Sequence, residues 1–279
     1  MRKSIFDIVS ETIDMEGELK RIVSMSQKEK VLYNGGSDYT LFDFVNDRCF
    51  RKWKYRGHFV DVKDYLLALE YSDLIDEAKY DEESFITLIE LVYNFWVLAY
   101  KDLCDEKTST KWQNNFYHLR DVMLDNLEKY NHKVYLDNDR VLIVEDKPEV
   151  TAVVEIVEPG LTIDIIQYNH RSLEGEIELK KAILLKLANE LEPKRAEIEA
   201  INKQLASDIF FMLNNMNIRH NNRSKKDKNY KEYVAKMKKE RLEKWYDELY
   251  QMMLLAILLL DNADRTNKIN ELKTKICGG

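Results

Sequence analysis

The sequence predicts a mainly α-helical protein made of one or more helical bundles, with a small β-hairpin or meander inserted near residues 133–157. Only 8 glycines and 3 prolines interrupt 279 residues, and both residue types break helices. Charged residues make up 33% of the chain, as long solvated helix faces require, while 45% hydrophobic residues can supply a core. β-Branched residues are concentrated in one stretch after Tyr130.

Residues 1–130 are predicted to form helices joined by short polar turns. Apolar residues recur at helical spacing over 41–53, and Gly57 is expected to end that helix. The segment 85–100 is apolar nearly all round, which is typical of the central helix of a bundle. Between these two helices, another is predicted to bury Tyr65, Leu66, Leu69 and Leu74 on one face. The last helix of this region is predicted to bury Trp112, Phe116, Leu119, Met123 and Leu127.

The β-rich stretch is assigned to residues 131–160. "KVYLDNDRVLIVE" is predicted as two strands joined by a turn at "LDND". "EVTAVVEIVEPG" is predicted to contain a second pair of short extended runs, separated from the first by "EDKPE". Pro159 and Gly160 are expected to end it. The sequence therefore predicts an insertion between two helical halves.

Residues 161–279 are predicted to be helical again. Two helices are expected to meet at a hinge near 173–175, and Pro193 is expected in the first turn of the next helix, where its missing N–H costs little. That helix should continue to about Met216. A long helix from about 241 to 260 is expected to close the domain, followed by a short amphipathic helix.

Several classes of protein are excluded by the motifs that are missing. The chain has no GxxxxGK[ST], GxGxxG, GxSxG or HExxH motif. Its histidines, at positions 58, 118, 132, 170 and 220, are never four residues apart, and Cys49, Cys104 and Cys277 form no CxxC pair. We therefore expect no cofactor, no metal site and reduced thiols, as in a cytoplasmic protein.

A membrane protein is not expected either. The first residues are charged and do not resemble a signal peptide. The longest apolar run, 254–260 with its neighbours, is shorter than the ~20 residues that a membrane span needs.

The strongest candidate site lies in "FMLNNMNIRHNN", residues 211–222. A helix is expected to end here, so that Arg219 and His220 protrude beyond it, with Asn217 and Asn221 as hydrogen-bonding support. An arginine offers a fixed fork of donors for phosphate, and a histidine can transfer a proton near neutral pH. The alternative is a helix C-cap rich in asparagine, with an Arg and a His that complement the helix dipole.

The residues that follow form a basic segment, defined here as residues 223–241. It contains nine lysines and arginines against three acidic residues, a local charge of +6 in a chain of net charge −7. Lysines 225, 226 and 228 are predicted to contact phosphates, and Tyr230 and Tyr233 to stack on bases. The alternative is an exposed basic loop that only improves solubility.

Two further basic clusters are weaker candidates. His170 and Arg171 would line the same groove as Arg219 if their helices pack together, and otherwise mark a polar helix–helix corner. The patch from Arg51 to His58 combines basic and aromatic residues at the end of a predicted helix. The alternative is that these basic and aromatic residues only form part of the exposed surface and have no role in binding.

A helical domain with an Arg and a His leaving one helix, closed by a long helix, resembles the HEPN superfamily (higher eukaryotes and prokaryotes nucleotide-binding). The resemblance covers about residues 161–260. It implies a metal-independent RNase that dimerises to form a composite site and transfers an RNA 2′-hydroxyl onto its own phosphate. Arg219 would stabilise the charged transition state. No histidine follows at the family's spacing, so either His220 or His170 would transfer the proton, or this copy of the domain would be inactive.

The resemblance implies an RNA-binding or RNA-cleaving protein of bacterial or phage-related defence, acting as a homodimer. The main alternative is a non-enzymatic helical adaptor or dimerisation module that binds a protein partner. A DNA-binding regulator is a third alternative. The acidic net charge and the lack of a helix-turn-helix pattern both disfavour it.

Overall fold

Helices account for most of the residues that the computed structural model describes, namely 14–71, 81–104 and 111–277. The predicted mainly α-helical class with a small β component is therefore confirmed. Among the helices within these ranges, none has the length and apolar character that crossing a membrane requires. The chain divides into two units, Met1–Ile143 and Val144–Gly279, and each has its own core.

The first unit is built around one buried helix. Its helices are α1 (Met15–Gln27), α2 (Leu41–Phe44), α3 (Val62–Ala68), α4 (Glu82–Cys104) and α5 (Asn114–Lys129), and its strands are β1 (Leu32–Asn34), β2 (Ser37–Tyr39), β3 (Lys111–Trp112) and β4 (His132–Asp137). Helix α4 is buried on nearly every face between Phe85 and Ala99, as its continuous apolar sequence predicts. Within this core the Trp96 indole N–H donates to the Phe116 carbonyl at 2.9 Å.

The predicted hairpin is confirmed over its first two strands. Strand β4 pairs with β5 (Arg140–Glu145), and Asn138 in the turn has a φ of +55°, a conformation that asparagine tolerates. Helix α4 fixes the hairpin, because the Asn94 side chain accepts from the Val141 N–H at 2.9 Å. The division between the two units falls within β5, inside the predicted 131–160 insertion.

Several details of the first unit differ from the sequence prediction, including Leu69, which is predicted to be buried and is 43% exposed. Strands β1, β2 and β3 form a small sheet of order β2-β1-β3 that periodicity does not reveal, since its strands are only two or three residues long. Trp112 lies on β3 and is exposed, so its predicted place on the buried face of a helix is wrong. Leu74 lies outside the described residues.

The predicted helix over 41–53 is also only partly regular. It is α-helical for Leu41–Phe44, continues as a π-helical turn over Val45–Cys49, and then forms short 3-10 turns. Gly57 follows with a φ of +62°, a left-handed conformation that glycine adopts without strain. The glycine therefore ends the helical segment as predicted.

After β5, the regular elements described in the second unit are all helices. Its helices are α6 (Pro148–Val154), α7 (Pro159–Tyr168), α8 (Ile177–Leu191), α9 (Arg195–Ile201), α10 (Lys203–Asn215), α11 (Glu232–Ala235) and α12 (Lys239–Cys277). The 3-10 turn Arg171–Leu173 separates α7 from α8, where the hinge is predicted. Another 3-10 turn, Glu192–Lys194, contains Pro193.

The second pair of extended runs predicted from "EVTAVVEIVEPG" is wrong, because these residues form most of helix α6 and the start of α7. Pro148 and Pro159 each occupy the first helical turn of α6 and α7, where a missing N–H is tolerated. Val150 and Val153, three residues apart, bury their side chains in the core. Tertiary burial here overrides the β preference of valine.

Two helix boundaries in this unit also differ from prediction. Asn202 divides the expected single helix into α9 and α10, because its side chain accepts from the Leu205 N–H as an N-cap. In the opposite sense, α12 continues to Cys277 as one helix, since no glycine or proline interrupts it. Its buried stripe ends at Ile257, so the expected separate C-terminal helix is instead an exposed extension.

Candidate nucleic-acid interface

Helix α10 ends where the sequence predicts, and an asparagine ends it. The Met216 N–H still donates to the Met212 carbonyl at 2.9 Å. Asn217 then adopts a left-handed φ of +62°, which asparagine accepts more readily than most residues. Asn217 is buried, and its side-chain oxygen has no hydrogen-bond partner among the described residues. Asn217 therefore contributes to this site through its backbone conformation, which ends the helix.

Asn222, which the sequence analysis does not single out, holds the loop after α10 together. Its buried side chain accepts from the Asn217 N–H at 2.7 Å. The same amide donates to the carbonyls of Asn214 at 3.2 Å and Asn229 at 2.8 Å. The Asn222 carbonyl also accepts from the Lys231 N–H at 2.8 Å. These four bonds close the loop between α10 and α11 into a fixed shape.

Arg219 follows the helix end, but its side chain is held against the protein and does not protrude as the sequence analysis expects. Its guanidinium forms an ion pair with Glu192 and lies 5.6 Å from the ring centroid of Phe210. Only 22% of the Arg219 side chain is exposed. A phosphate would therefore have to compete with the Glu192 carboxylate for this arginine.

His220 and His170 occupy different surroundings. His220 is exposed at the surface of the loop. His170 is buried, and its Nδ1 lies 2.8 Å from the Ser172 hydroxyl at the corner between α7 and α8. The recess that His170 lines does not include Arg219 or His220 among its lining residues. The half-buried Arg171 belongs to the same corner.

That recess, called the polar recess here, lies between α7, α8 and α12 and has a volume of ≈ 520 Å³. Its base is a buried ion pair. Lys180 of α8 donates to Glu243 and Asp247 of α12, each at 2.8 Å, and Tyr168 donates to Asp247 at 3.1 Å. Tyr168 also stacks on Tyr250 with ring centroids 4.0 Å apart. The recess therefore joins three helices through polar contacts.

The charges of this network stabilise one another. Burial by itself lowers the pKa of Lys180, but its hydrogen bonds to Asp247 and Glu243 outweigh burial and raise that pKa above its ordinary value. Burial opposes the charge of Glu243 too, yet the hydrogen bonds from Lys180 and the Gly175 N–H lower its pKa. Burial, reinforced by Asp247, raises the pKa of Tyr168. These groups keep Lys180 and Glu243 charged and Tyr168 neutral near neutral pH.

The basic segment starts within the loop that Asn222 fixes. Lysines 225, 226 and 228 are exposed and form no ion pair with any residue that the structure describes. Asn221 is exposed, and its side chain accepts from the Ser224 N–H at 3.2 Å. Asp227 likewise accepts from the Asn229 N–H at 2.8 Å. The loop therefore uses its own polar groups to form turns and presents its lysines to solvent.

Beside this loop lies an apolar depression of ≈ 400 Å³, called the aromatic cleft here. It is lined by Phe211, Met212, Asn215, Met216, Lys231, Tyr233, Val234 and Trp245. Its three aromatic side chains are unusually exposed for their size, at 62% for Phe211, 62% for Tyr233 and 40% for Trp245. Tyr233 was predicted to be accessible for stacking, whereas the half-buried Tyr230 is not among the lining residues.

Phe211 and Trp245 are not among the residues predicted from the sequence, although a signal was present. The buried residues of α10 and α12 form one stripe on each helix, and both aromatics lie off it. Phe211 follows the buried Phe210, and Trp245 precedes the buried Tyr246. A large aromatic residue beside, rather than on, an apolar stripe is expected to face solvent or a ligand.

Across the described part of the chain, His, Cys, Asp and Glu side chains do not gather in groups of three or more as metal ligands would. Comparison with protein-family models, curated proteins and solved structures finds no match for this chain.

Proposed function

We propose that this chain is an RNA-binding protein and that its C-terminal unit is HEPN-like. One observation carries the proposal. A basic segment of local charge +6 lies in a chain of net charge −7, and its loop is fixed rather than extended into solvent. Clustered cations bind the phosphate backbone irrespective of the net charge of the protein. A fixed loop also loses less conformational entropy when its lysines bind.

The aromatic cleft supports nucleic acid over other polyanions. Exposed aromatic rings next to lysines are the usual components of a surface for single-stranded nucleic acid, because rings stack on bases while lysines contact phosphates. RNA is preferred to DNA here because of the resemblance to the HEPN superfamily. The binding site comprises Lys225, Lys226 and Lys228, with Tyr233 at the cleft.

The proposal is tested by salt dependence. Full-length protein is titrated into a fluorescein-labelled, unstructured 20-nucleotide RNA at several salt concentrations, and anisotropy is measured. We expect the Lys225→Gln/Lys226→Gln/Lys228→Gln variant to bind more weakly. Its slope of log affinity against log salt should be shallower by up to about 2, because each lost phosphate contact removes roughly 0.7 from that slope for a single strand.

The matched control removes three lysines from the exposed end of α12, at positions 268, 273 and 275. It makes the same change in net charge away from the proposed surface. An equal loss of RNA affinity in the loop variant and in this control variant would contradict the proposal, and so would an affinity that does not change with salt. A DNA strand of the same sequence, measured in parallel, tests the preference for RNA.

Arg219 and His220 determine whether binding leads to cleavage. In the reaction that the resemblance implies, the RNA 2′-oxygen forms a bond to phosphorus and the bond to the 5′-oxygen breaks. His220 would accept the 2′-proton and donate a proton to the departing 5′-oxygen, which leaves a 2′,3′-cyclic phosphate and a 5′-hydroxyl, and Arg219 would stabilise the negative charge once a phosphate displaces Glu192. The ion pair with Glu192 and the separate location of His170 favour binding over cleavage in the geometry described.

Cleavage is therefore tested separately from binding. The RNA is incubated with wild-type protein in the presence of a chelator, and its products are separated by gel electrophoresis. If it is cut, Arg219→Ala and His220→Ala should each abolish cutting while circular dichroism spectra stay unchanged. Unchanged cutting in both variants would exclude these residues, and His170→Ala would then be the next variant to test.

A second candidate function, the adaptor or dimerisation module, is favoured by the end of α12. Beyond Ile257 the helix buries no residue within the described range, yet Ile269, Leu272 and Ile276 recur at spacings of three and four and are 51–70% exposed. Such a stripe is the pattern of a helix that packs on another helix. Light scattering over a concentration series tests it, and Leu272→Lys should abolish any dimer. A monomer at every concentration would argue against self-association.

A further inference from the structure

The aromatic cleft has features that phosphate binding by the lysines does not require. Its floor is apolar and includes the buried side chains of Met212, Met216 and Val234. Phe211, Tyr233 and Trp245 line it from three different helices, α10, α11 and α12, and remain exposed. Contiguous exposed apolar surface of this kind is typical of a binding site.

We propose that this cleft binds the unstacked bases of single-stranded RNA, with rings of Phe211, Tyr233 and Trp245 stacking on bases while nearby lysines and arginine contact the phosphates. This inference rests on the proposed function and names its substrate class. Duplex RNA would not fit the role, because its bases are stacked on each other and their faces are inaccessible to aromatic side chains.

The charges around the cleft support this occupant. Lys231 is one of its lining residues. A second depression shares Tyr233 and is lined by three cations, Lys236, Lys238 and Arg241, together with Met237 and Glu232. Glu232 is paired with Lys236, so the net charge of this rim is positive. An apolar floor next to positive charge matches an RNA strand, in which apolar base faces alternate with phosphates.

Tyr233 is the side chain that links the two depressions. The Arg241 guanidinium lies over its ring, 5.6 Å from the ring centroid. A cation over one face of an aromatic ring leaves the other face available for stacking. A base on Tyr233 would then place its phosphate near Arg241 and Lys236, as a single strand that follows this surface requires.

The inference is tested with full-length protein and two fluorescein-labelled probes of equal length and charge. One is a 12-nucleotide oligouridylate, and the other is an abasic ribose-phosphate oligomer of 12 units. We expect oligouridylate to bind more tightly. Phe211→Ala, Tyr233→Ala and Trp245→Ala should each weaken its binding by roughly 5- to 150-fold, the range measured for loss of one base–aromatic stack. Binding of the abasic oligomer should change less than twofold.

Controls separate this inference from the proposed function. Trp112→Ala removes an exposed tryptophan of the first unit and should leave binding unchanged. Trp245→Phe keeps a ring and should restore most of the affinity lost in Trp245→Ala, which excludes misfolding as the cause. If oligouridylate binds with a normal salt slope but the three alanine variants bind as wild type does, the inference is wrong and the proposed function stands. If wild type binds neither probe, the proposed function itself fails.

A protein occupant would give a different result. An apolar peptide segment in the cleft would bind with little dependence on salt and would compete with oligouridylate.

Saturating oligouridylate should quench tryptophan fluorescence in wild type and quench it less in Trp245→Phe. Equal quenching in both would place the RNA elsewhere and overturn the inference.

Discussion

At the residue scale, the buried Asn222 side chain determines the shape of the loop that carries the proposed site. Its amide bonds to three backbone groups, those of Asn214, Asn217 and Asn229. Asn222→Ala should leave these groups without partners in a buried place. We expect it to lower the free energy of unfolding by on the order of 1–3 kcal/mol, measured by urea denaturation, and to weaken RNA binding as the loop loses its shape.

The neighbouring residue provides the control. Asn221 has the same side chain but is exposed, and its one described side-chain hydrogen bond is to the Ser224 N–H. Asn221→Ala should therefore change the free energy of unfolding by less than about 0.5 kcal/mol. Equal destabilisation by the two substitutions would mean that burial of Asn222 does not control the stability of the loop.

These residues also mark the limit of what sequence predicts at this scale. The helix end and the exposed lysines follow from local pattern. Which asparagine is buried does not, because Asn221 and Asn222 are chemically identical and only the returning chain near Asn229 distinguishes them. The ion pair between Arg219 and Glu192 is also a contact across 27 residues that no local pattern contains.

At the element scale, Lys180 joins α8 to α12. Its side chain is only 7% exposed and pairs with Glu243 and Asp247. Lys180→Met should leave the largely buried Glu243 without its cation, so we expect the free energy of unfolding to fall by about 3 kcal/mol. Lys186→Met is the control, since Lys186 also pairs across helices, with Asp164, but is 58% exposed. Its effect should stay below about 1 kcal/mol.

The same network predicts how stability depends on pH. The pKa of Glu243 is lower in the folded protein than when unfolded, so its contribution is present above the unfolded value and is lost as pH falls through the acid range. The pKa values of Lys180 and Tyr168 are raised, so their contributions are present at neutral pH and are lost as pH rises above about 10.

We therefore expect the urea concentration at the midpoint of unfolding to be highest at pH values between the acid range and about pH 10. Glu243→Gln should flatten the acid side of that profile and weaken the alkaline side only in part, because Asp247 still raises the pKa values of Lys180 and Tyr168. If the acid side has the same steepness in wild type and Glu243→Gln, other carboxylates account for the loss of stability in acid. Thermal denaturation measured at the same pH values provides an independent check.

Elements were predictable where burial and propensity agree and unpredictable where they conflict. Helix α4 and the hairpin of β4 and β5 combine a clear period with matching residue types. Helix α6 does not. Valine as a residue type prefers strands, whereas Pro148 in the first turn and the burial of Val150 and Val153, three residues apart, favour a helix. The exposed aromatics of the cleft show the same limit, since exposure depends on which neighbours the fold supplies.

At the scale of the whole molecule, the chain separates into two units that each bury their own apolar residues. One core includes Phe85, Trp96 and Phe116. The other includes Ile165, Leu213 and Tyr246. The sequence predicts helices on both sides of a β element. The boundary between the two units lies within β5, after Ile143, because the N–H groups of Val141 and Ile143 donate to side chains of α4.

This division predicts that the second unit folds alone. A fragment of residues 147–277 keeps the whole second core, the polar recess and the proposed RNA site, and its size is that of an ordinary domain. We expect it to show the helical circular dichroism and a cooperative urea transition of a folded protein. It should also bind oligouridylate within about threefold of the full chain, whereas a fragment of residues 1–146 should not bind. A fragment 147–277 that unfolds without cooperativity would show that the second core depends on the first. One that folds but does not bind would show that residues before 147 contribute to the RNA site, and the lysine and aromatic substitutions would then have to be extended into the first unit.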